Sequence, residues 1–311
     1  MRAHVLIAEE LRDLLDRHQL QGMSVRWLGA DAPTPAGRFV AIVPLLSRRI
    51  GRDALQRLPA LQIIANCAVG VDNVDLNAAA ERGVVVTNTP DVLTEATADL
   101  TWALILAAAR RLKEGQSLIA RGGWRGWHPT ELLGMELAGG TLGIVGAGRI
   151  GGAVARRAVG FRMRLLYWSR SVKPELERDT GAERAALERV LAQSDVVSLH
   201  LPSTDETRGL ISRERLARMK PGALLVNTAR GDLVDEDAVC DALEAGSLGG
   251  AGLDVFAHEP AIPERLRRHP RAVLLPHVGS ATHHTRGAMA GLAVRNILAV
   301  LAGDAPLTPV S

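Results

Sequence analysis

Aromatic side chains are scarce, at 3% of the 311 residues, with a single Tyr. The hydrophobic share is still 47%, so Ala, Val and Leu must build the core. Two cysteines, Cys67 and Cys240, exclude a disulfide framework and fit a reducing, cytoplasmic setting. Cys67 lies inside an apolar run and reads as a packed thiol. Lysine is nearly absent, because Arg supplies 34 of the 37 basic residues. These arginines are scattered, and the net charge is only +3, so a nucleic-acid face is not expected. The densest group, Arg265, Arg267, Arg268 and Arg271, reads as a solvated helix end. The longest apolar stretch, Leu100 to Ala109, is far short of a membrane span. Only Val5 to Ala8 precede Glu9 and Glu10, so no signal peptide is expected. His283 and His284 are adjacent, which is wrong for two ligands on one helix face, and no metal spacing is read elsewhere. No repeat is apparent.

What is present is an alternation of short apolar runs with helical patterns. Val5-Leu6-Ile7-Ala8, Val40 to Val43, Gln62 to Ala65 and Val84 to Thr87 read as strands. Helical segments such as Asp53 to Leu58 and Leu76 to Arg82 separate them. This is the pattern of a parallel sheet covered by helices. A long helix should follow, from an N-cap at Thr94 to about Leu112. Leu100 to Ala109 is apolar on nearly every face, so burial on all sides is expected, a subunit interface being one means. Arg121 to Gly134 reads as a connecting loop.

A second series then begins at Leu142-Gly143-Ile144-Val145. Leu165 to Trp168, Val196 to Leu199, Ala223 to Ala229, Gly252 to Phe256 and Ala272 to Pro276 complete six strands. After His277 one helix remains, with Met289, Leu292, Ala293, Ile297 and Val300 on its apolar face and Gly303 and Pro306 ending it. Having no strand of its own, it should pack back onto the first domain. The expectation is an α/β protein of two doubly wound parallel-sheet domains. A Rossmann dinucleotide-binding domain, 96–283, would be inserted into a flavodoxin-like substrate-binding domain of 1–95 and 284–311. The cleft between them is the default site.

Gly146-Ala147-Gly148-Arg149-Ile150-Gly151 matches G-x-G-x-x-G between a strand and a helix, the context that makes the pattern meaningful. Gly146 allows the tight turn, Gly148 a close approach of backbone to pyrophosphate, and Gly151 close helix packing. An NAD site places an acid at the end of the next strand. Here Ser169-Arg170-Ser171-Val172-Lys173 stands instead, which suits a 2′-phosphate and predicts NADP(H), with NAD(H) as the weaker alternative.

Arg230, Glu259 and His277 each sit just past an apolar run. A cation, a carboxylate and an imidazole at three strand ends fit reduction of a 2-oxo acid. His277 would protonate the oxygen as hydride reaches the carbonyl carbon. Glu259 would hold the imidazole and favour its charged form. Arg230 would bind the substrate carboxylate and polarise the carbonyl. His200 also ends a strand and competes for the acid role. It has no acidic partner on its strand and reads as a cofactor-side residue.

These segments resemble the D-isomer-specific 2-hydroxyacid dehydrogenase family. The resemblance rests on Asn66-Cys67-Ala68-Val69-Gly70-Val71-Asp72-Asn73-Val74-Asp75, Thr97-Ala98-Asp99-Leu100, the glycine turn and Met219 through Gly231. Gly252 to Phe256 with Glu259-Pro260, and Pro276 to Ala281, complete it. The chain is most similar to the glyoxylate/hydroxypyruvate reductase branch, on Tyr167-Trp168-Ser169-Arg170-Ser171 and Gly279-Ser280-Ala281-Thr282-His283. The resemblance places Arg230, Glu259 and His277 on the catalytic positions. It implies that amides around Val69 and Gly70 hold the substrate carboxylate and that Asp254 orients the nicotinamide amide. It also implies a cofactor site lined by Thr97, Arg149, Ile150, Leu201, Pro202 and Thr207, with Thr228, Ala229, Gly279 and Ser280 counted among its residues. A homodimer is expected. Trp127 either reaches the neighbouring subunit's active site or packs at a dimer loop. Leu45 and Leu46 lie where the pocket is built, so its size stays open. Other expected possibilities are a reductase of another 2-oxo acid such as 2-ketogluconate, a phosphoglycerate dehydrogenase, and a dinucleotide-sensing corepressor-like protein. Glu259 argues against formate dehydrogenases, which typically pair the catalytic His with Gln.

Overall fold

The structure, a computed structural model, describes residues 3–310. The chain forms two compact units, Met1–Leu93 with Ser280–Ser311, and Thr94–Gly279. These divisions fall slightly earlier than the expected 95/96 and 283/284.

The first unit holds β1 (Ala3–Ala8), β2 (Met23–Leu28), β3 (Ala41–Val43), β4 (Ile63–Ala65) and β5 (Val85–Thr87). They are parallel and ordered β2-β1-β3-β4-β5, the flavodoxin-like arrangement. β1, β3 and β4 are almost wholly buried because helices cover both faces, which is why they read as continuous apolar runs. β2 is an addition to the four expected strands. It is an edge strand whose Ser24, Val25, Arg26 and Trp27 are not buried, so it carries no apolar run. The last helix, His283–Ala302, begins with Thr282 accepting the Thr285 N–H and ends at Gly303. It packs on β3 and β4.

The second unit holds β6 (Thr141–Val145), β7 (Arg164–Trp168), β8 (Glu183–Arg184), β9 (Val196–Leu199), β10 (Ala223–Asn227), β11 (Leu248–Leu253) and β12 (Ala272–Leu274). The parallel sheet runs β12-β11-β10-β9-β6-β7-β8. Counted from β6, its first six strands follow the doubly wound dinucleotide-binding order, with β12 added at one edge. Seven strands therefore replace the expected six, the additional one being β8, two exposed residues at the other edge. The strand before Glu259 also lies earlier than its apolar run implied. β11 ends at Leu253, and Asp254 to Phe256 form the loop beyond it.

Helix Thr94–Ala109 lies on β10, β11 and β12 and against helix Arg149–Gly160. A Cβ on Gly252 would sit 3.0 Å from the Leu104 Cβ, so β11 is kept small where this helix crosses it. Trp102 stacks on Phe161 at 4.2 Å and donates its indole N–H to the Val154 carbonyl. The helix stops at Ala109, short of the expected Leu112, because Arg111 takes a left-handed conformation with φ of 54°. Its guanidinium is held by two bonds to Glu114. Burial on all sides does not hold within the chain either, since Ala103 is exposed and Leu100, Leu106 and Ala107 are half-buried. Leu112–Ala120 is a separate helix without a fully buried residue.

Candidate active site and cofactor cradle

β10, β11 and β12 are neighbours in the sheet, so their carboxyl ends open side by side. Each carries one member of the trio. Asn227 terminates β10 and folds the chain back on itself. Its Nδ2 donates to the Arg230 carbonyl at 2.7 Å, and its Oδ1 accepts the Ala229 N–H at 3.0 Å. This fixes the Thr228-Ala229-Arg230 turn. A Cβ on Gly231 would lie 1.9 Å from the Phe256 carbonyl carbon, so the backbone after Arg230 packs directly on the loop that leads to Glu259.

Glu259 accepts the Phe256 N–H on Oε1 at 3.0 Å and meets His277 Nδ1 with Oε2 at 2.9 Å. Burial pushes this carboxyl up. The hydrogen bond and charge of His277, the Phe256 N–H and the charge of Arg230 outweigh it and hold the group below the usual carboxylate range. Glu259 is therefore an anion at neutral pH, placed against one imidazole nitrogen. The trio is together, and all of it lies in the second unit.

His277 takes a left-handed backbone, φ 54°, which a non-glycine residue adopts only when its surroundings impose it. Asp254 imposes it. The Asp254 carbonyl accepts the His277 N–H at 2.9 Å, its Oδ1 the Val278 N–H at 2.8 Å, and its Oδ2 the Gly279 N–H at 2.8 Å. Burial pushes the Asp254 carboxyl up, against the two N–H donors and the charge of His277.

His200 differs from His277 in kind. Its Nε2 pairs with Ser198 Oγ at 2.9 Å, and its enclosed Nδ1 has no partner. Burial pushes the imidazole down to about 3, so it stays neutral and holds no imidazolium proton to give. That separates it from the acid role.

The glycine turn has the geometry of a phosphate cradle. Gly146 has φ of 101°, and a Cβ there would lie 2.7 Å from the His200 carbonyl oxygen. A Cβ on Gly151 would lie 2.1 Å from the Gly146 oxygen, so only glycine lets this helix approach the strand. At Gly148 a Cβ would meet nothing within 4 Å. That is open space, at the N-cap of helix Arg149–Gly160, where the N-cap residue offers no side-chain cap. An anion is the natural partner of such a helix end. Arg149 and Ile150 form its first turn.

The other expected cofactor residues take distinct places. Thr228 Oγ1 lies 2.9 Å from Thr101 Oγ1, which donates to the Thr97 carbonyl, so Thr97 and Thr228 belong to one buried hydroxyl chain. Gly279 faces Thr97 closely, at 3.4 Å from a Cβ position to the Thr97 methyl. Leu201 packs at Gly146, while Thr207 Oγ1 donates to the Pro202 carbonyl and closes that loop. Ser169, Arg170 and Lys173 follow β7. Ser280, Val69 and Gly70 belong to the first unit. Trp127 stands on the loop after Ala120 and is 84% exposed. Thr101, Asn227 and the backbone-gripping role of Asp254 escaped sequence reasoning. An amide or hydroxyl closing an otherwise apolar segment is the signal that marks them.

The arginine cluster is internally satisfied. Arg265 pairs with Asp241 and Glu244, Arg267 and Arg268 with Glu264, and Arg271 donates to the Gly249 carbonyl. Cys67 is buried, and burial pushes its thiol up to about 12. Among the described residues no group of three or more His, Cys, Asp or Glu side chains could hold a metal, and no helix is long and apolar enough to cross a membrane.

A family model described as "D-isomer specific 2-hydroxyacid dehydrogenase, NAD binding domain" matches residues 102–279. The chain belongs to the D-isomer specific 2-hydroxyacid dehydrogenase family. Members of this family are nicotinamide-dinucleotide-dependent oxidoreductases, and the glycine turn described above fits that cofactor. A protein named glyoxylate reductase from Thermococcus litoralis is 49% identical over 86% of this chain and 82% of its own length. One of the same name from Pyrococcus furiosus is 51% identical over 87% and 82%. Among solved structures, an NADPH-dependent glyoxylate/hydroxypyruvate reductase from Sinorhizobium meliloti, in complex with NADP and malonate, superposes with a TM-score of 0.88. It is 34% identical, covering 100% of this chain and 97% of that one.

Proposed function

We propose that this dehydrogenase is an NADPH-preferring reductase of small 2-oxo acids, glyoxylate and hydroxypyruvate, giving D-2-hydroxy acids. The observation that carries the reading is the 2.9 Å contact of His277 Nδ1 with Glu259 Oε2 beside Arg230. A bound nicotinamide cofactor supplies the hydride. As negative charge develops on the carbonyl oxygen, His277 delivers a proton from Nε2, because Nδ1 is engaged by Glu259. Glu259 fixes the ring and compensates the imidazolium charge. The Arg230 guanidinium draws on the substrate carboxylate and carbonyl as a planar fork. On the family resemblance, the amides of Val69 and Gly70 would also hold the substrate carboxylate. The names of the relatives support the substrate class, and the absence of any acid in Ser169 to Lys173 supports NADPH. The working protein is a homodimer, with Trp127 in the contact between copies.

The test is a panel of glyoxylate, hydroxypyruvate, pyruvate and 2-ketogluconate assayed with both cofactors, on the native protein and on Arg230→Ala and His277→Ala. Glyoxylate or hydroxypyruvate with NADPH should give the highest kcat/KM. Each variant should lose at least ~10-fold, the former in KM and kcat together, the latter mainly in kcat. A preference for NADH, or variants that turn over normally, would refute the corresponding part.

A further inference from the structure

The loop Ser169-Arg170-Ser171-Val172-Lys173 begins beside the glycine turn, since the Gly146 N–H donates to the Trp168 carbonyl at 2.9 Å. Three side chains shape it. Ser169 Oγ donates to the Ser171 carbonyl at 2.6 Å. Tyr167 Oη accepts the Lys173 N–H at 2.9 Å while donating to Glu177 at 2.6 Å. The third comes from the neighbouring strand. Arg184 on β8 stands beside Tyr167 in the sheet. Its guanidinium reaches past the end of β7, and Nη2 donates to the carbonyls of Ser169 and Arg170 at 3.0 and 3.1 Å.

The charges around this loop are unbalanced. Among the described residues no carboxylate pairs with Arg170, Lys173 or Arg184. Glu183 is engaged with Arg189 and Glu177 with Tyr167, and Glu175 bonds none of the three cations. Arg184 also keeps Nε and Nη1 without a partner among the described residues. A guanidinium with one nitrogen anchored and the others open is suited to a phosphate dianion. Anchoring the loop beforehand lowers the ordering cost of binding.

We propose that Arg184 is a third cation of a site for the 2′-phosphate of the cofactor. One nitrogen fixes the loop that displays Arg170 and Lys173, and the remaining donors face the phosphate. The proposal rests on the NADPH reading above. The chemistry recognised is a ribose 2′-phosphate monoester, so 2′,5′-ADP should bind much as the whole cofactor does.

The experiment is equilibrium binding of NADPH and NADH by nicotinamide fluorescence, and of 2′,5′-ADP and 5′-ADP by calorimetry. The proteins are the native chain, Arg184→Gln and Arg184→Lys. Arg184→Gln should weaken NADPH and 2′,5′-ADP about tenfold while NADH and 5′-ADP change less than about twofold. Arg184→Lys, which keeps the charge and loses the fork, should fall between. NADH binding doubles as the check that the variants are folded. If the native protein prefers NADPH and Arg184→Gln leaves the ratio of the two affinities unchanged, the Arg184 assignment fails alone. If the native protein binds both cofactors equally, the NADPH reading fails and takes the site with it.

Discussion

Asp254 explains how His277 is held in place. A left-handed histidine is strained, and three N–H groups donating to one buried residue hold it there. Family resemblance assigns Asp254 to the nicotinamide amide, yet both its carboxylate oxygens already accept N–H groups of the turn that follows His277. Asp254→Asn replaces one oxygen by a donor, so either the Val278 or the Gly279 N–H loses its acceptor and faces another N–H. The expected cost is about 1–3 kcal/mol of stability, the penalty of a buried donor left unsatisfied. A kcat loss of at least ~10-fold should accompany it, because the acid is displaced. Thermal unfolding with steady-state kinetics reads both. An unchanged Tm would show that the turn does not depend on the carboxylate. His277→Asn is the useful control. Asn tolerates a left-handed backbone, so this variant should remain as stable as the native protein and still lose the proton transfer.

Short elements shape the loop of the first unit that the reading above assigns to the substrate carboxylate. The loop after β4 turns its carbonyls toward amide side chains. Asn88 Nδ2 donates to the Val69 carbonyl at 2.8 Å and Asn66 Nδ2 to the Gly70 carbonyl at 2.9 Å. Asn73 Nδ2 in turn donates to Asn66 Oδ1 at 2.9 Å. With these carbonyls captured, the N–H groups of Val69 and Gly70 have no partner among the described residues. Two adjacent free amides form a nest for an anion. Asn88→Ala should release the Val69 carbonyl and raise KM for the 2-oxo acid several-fold, about the effect of one lost hydrogen bond. kcat should change less, and the NADPH Kd not at all. An unaltered KM would mean that this loop does not hold the carboxylate. The same elements show what was legible beforehand. Strands buried on both faces, such as β4 and β10, announce themselves as apolar runs, and the polar residue beyond each run then stands out. That logic located Arg230, Glu259 and His277. It fails at the two exposed edge strands. β2 keeps four of its six residues outside the core, and β8 is a pair of exposed charges, so neither leaves a periodic signal. Arg184, which sits on β8, was invisible for that reason. Asn66 and Asn88 were visible as residues, but their grip on two carbonyls depends on the folded loop.

At the scale of the whole molecule, the second unit exposes several large apolar side chains. Ile119 is 59% exposed, Trp124 54%, Leu133 63% and Trp127 84%. They lie on or after the helix Leu112–Ala120, which has no fully buried residue. A nine-residue helix is marginal in water without tertiary cover. The neighbouring groove, about 510 Å³ and lined by Leu112, Ile119 and Leu132 among others, offers apolar wall for a side chain to enter. A loop with projecting tryptophans beside an apolar groove is self-complementary, as a two-fold contact requires, since each copy supplies both parts. Sedimentation equilibrium should therefore give twice the 33.2 kDa chain mass. Ile119→Glu with Leu133→Glu should return it to the monomer by placing charges in the contact. Trp127→Ala separates the two roles considered for that residue. If Trp127 only packs, the variant should weaken the dimer and leave KM unchanged at protein concentrations where the dimer persists. If it reaches the neighbouring active site, KM should rise while the mass stays that of the dimer. A native protein that sediments as a monomer at micromolar concentration would remove the basis for both.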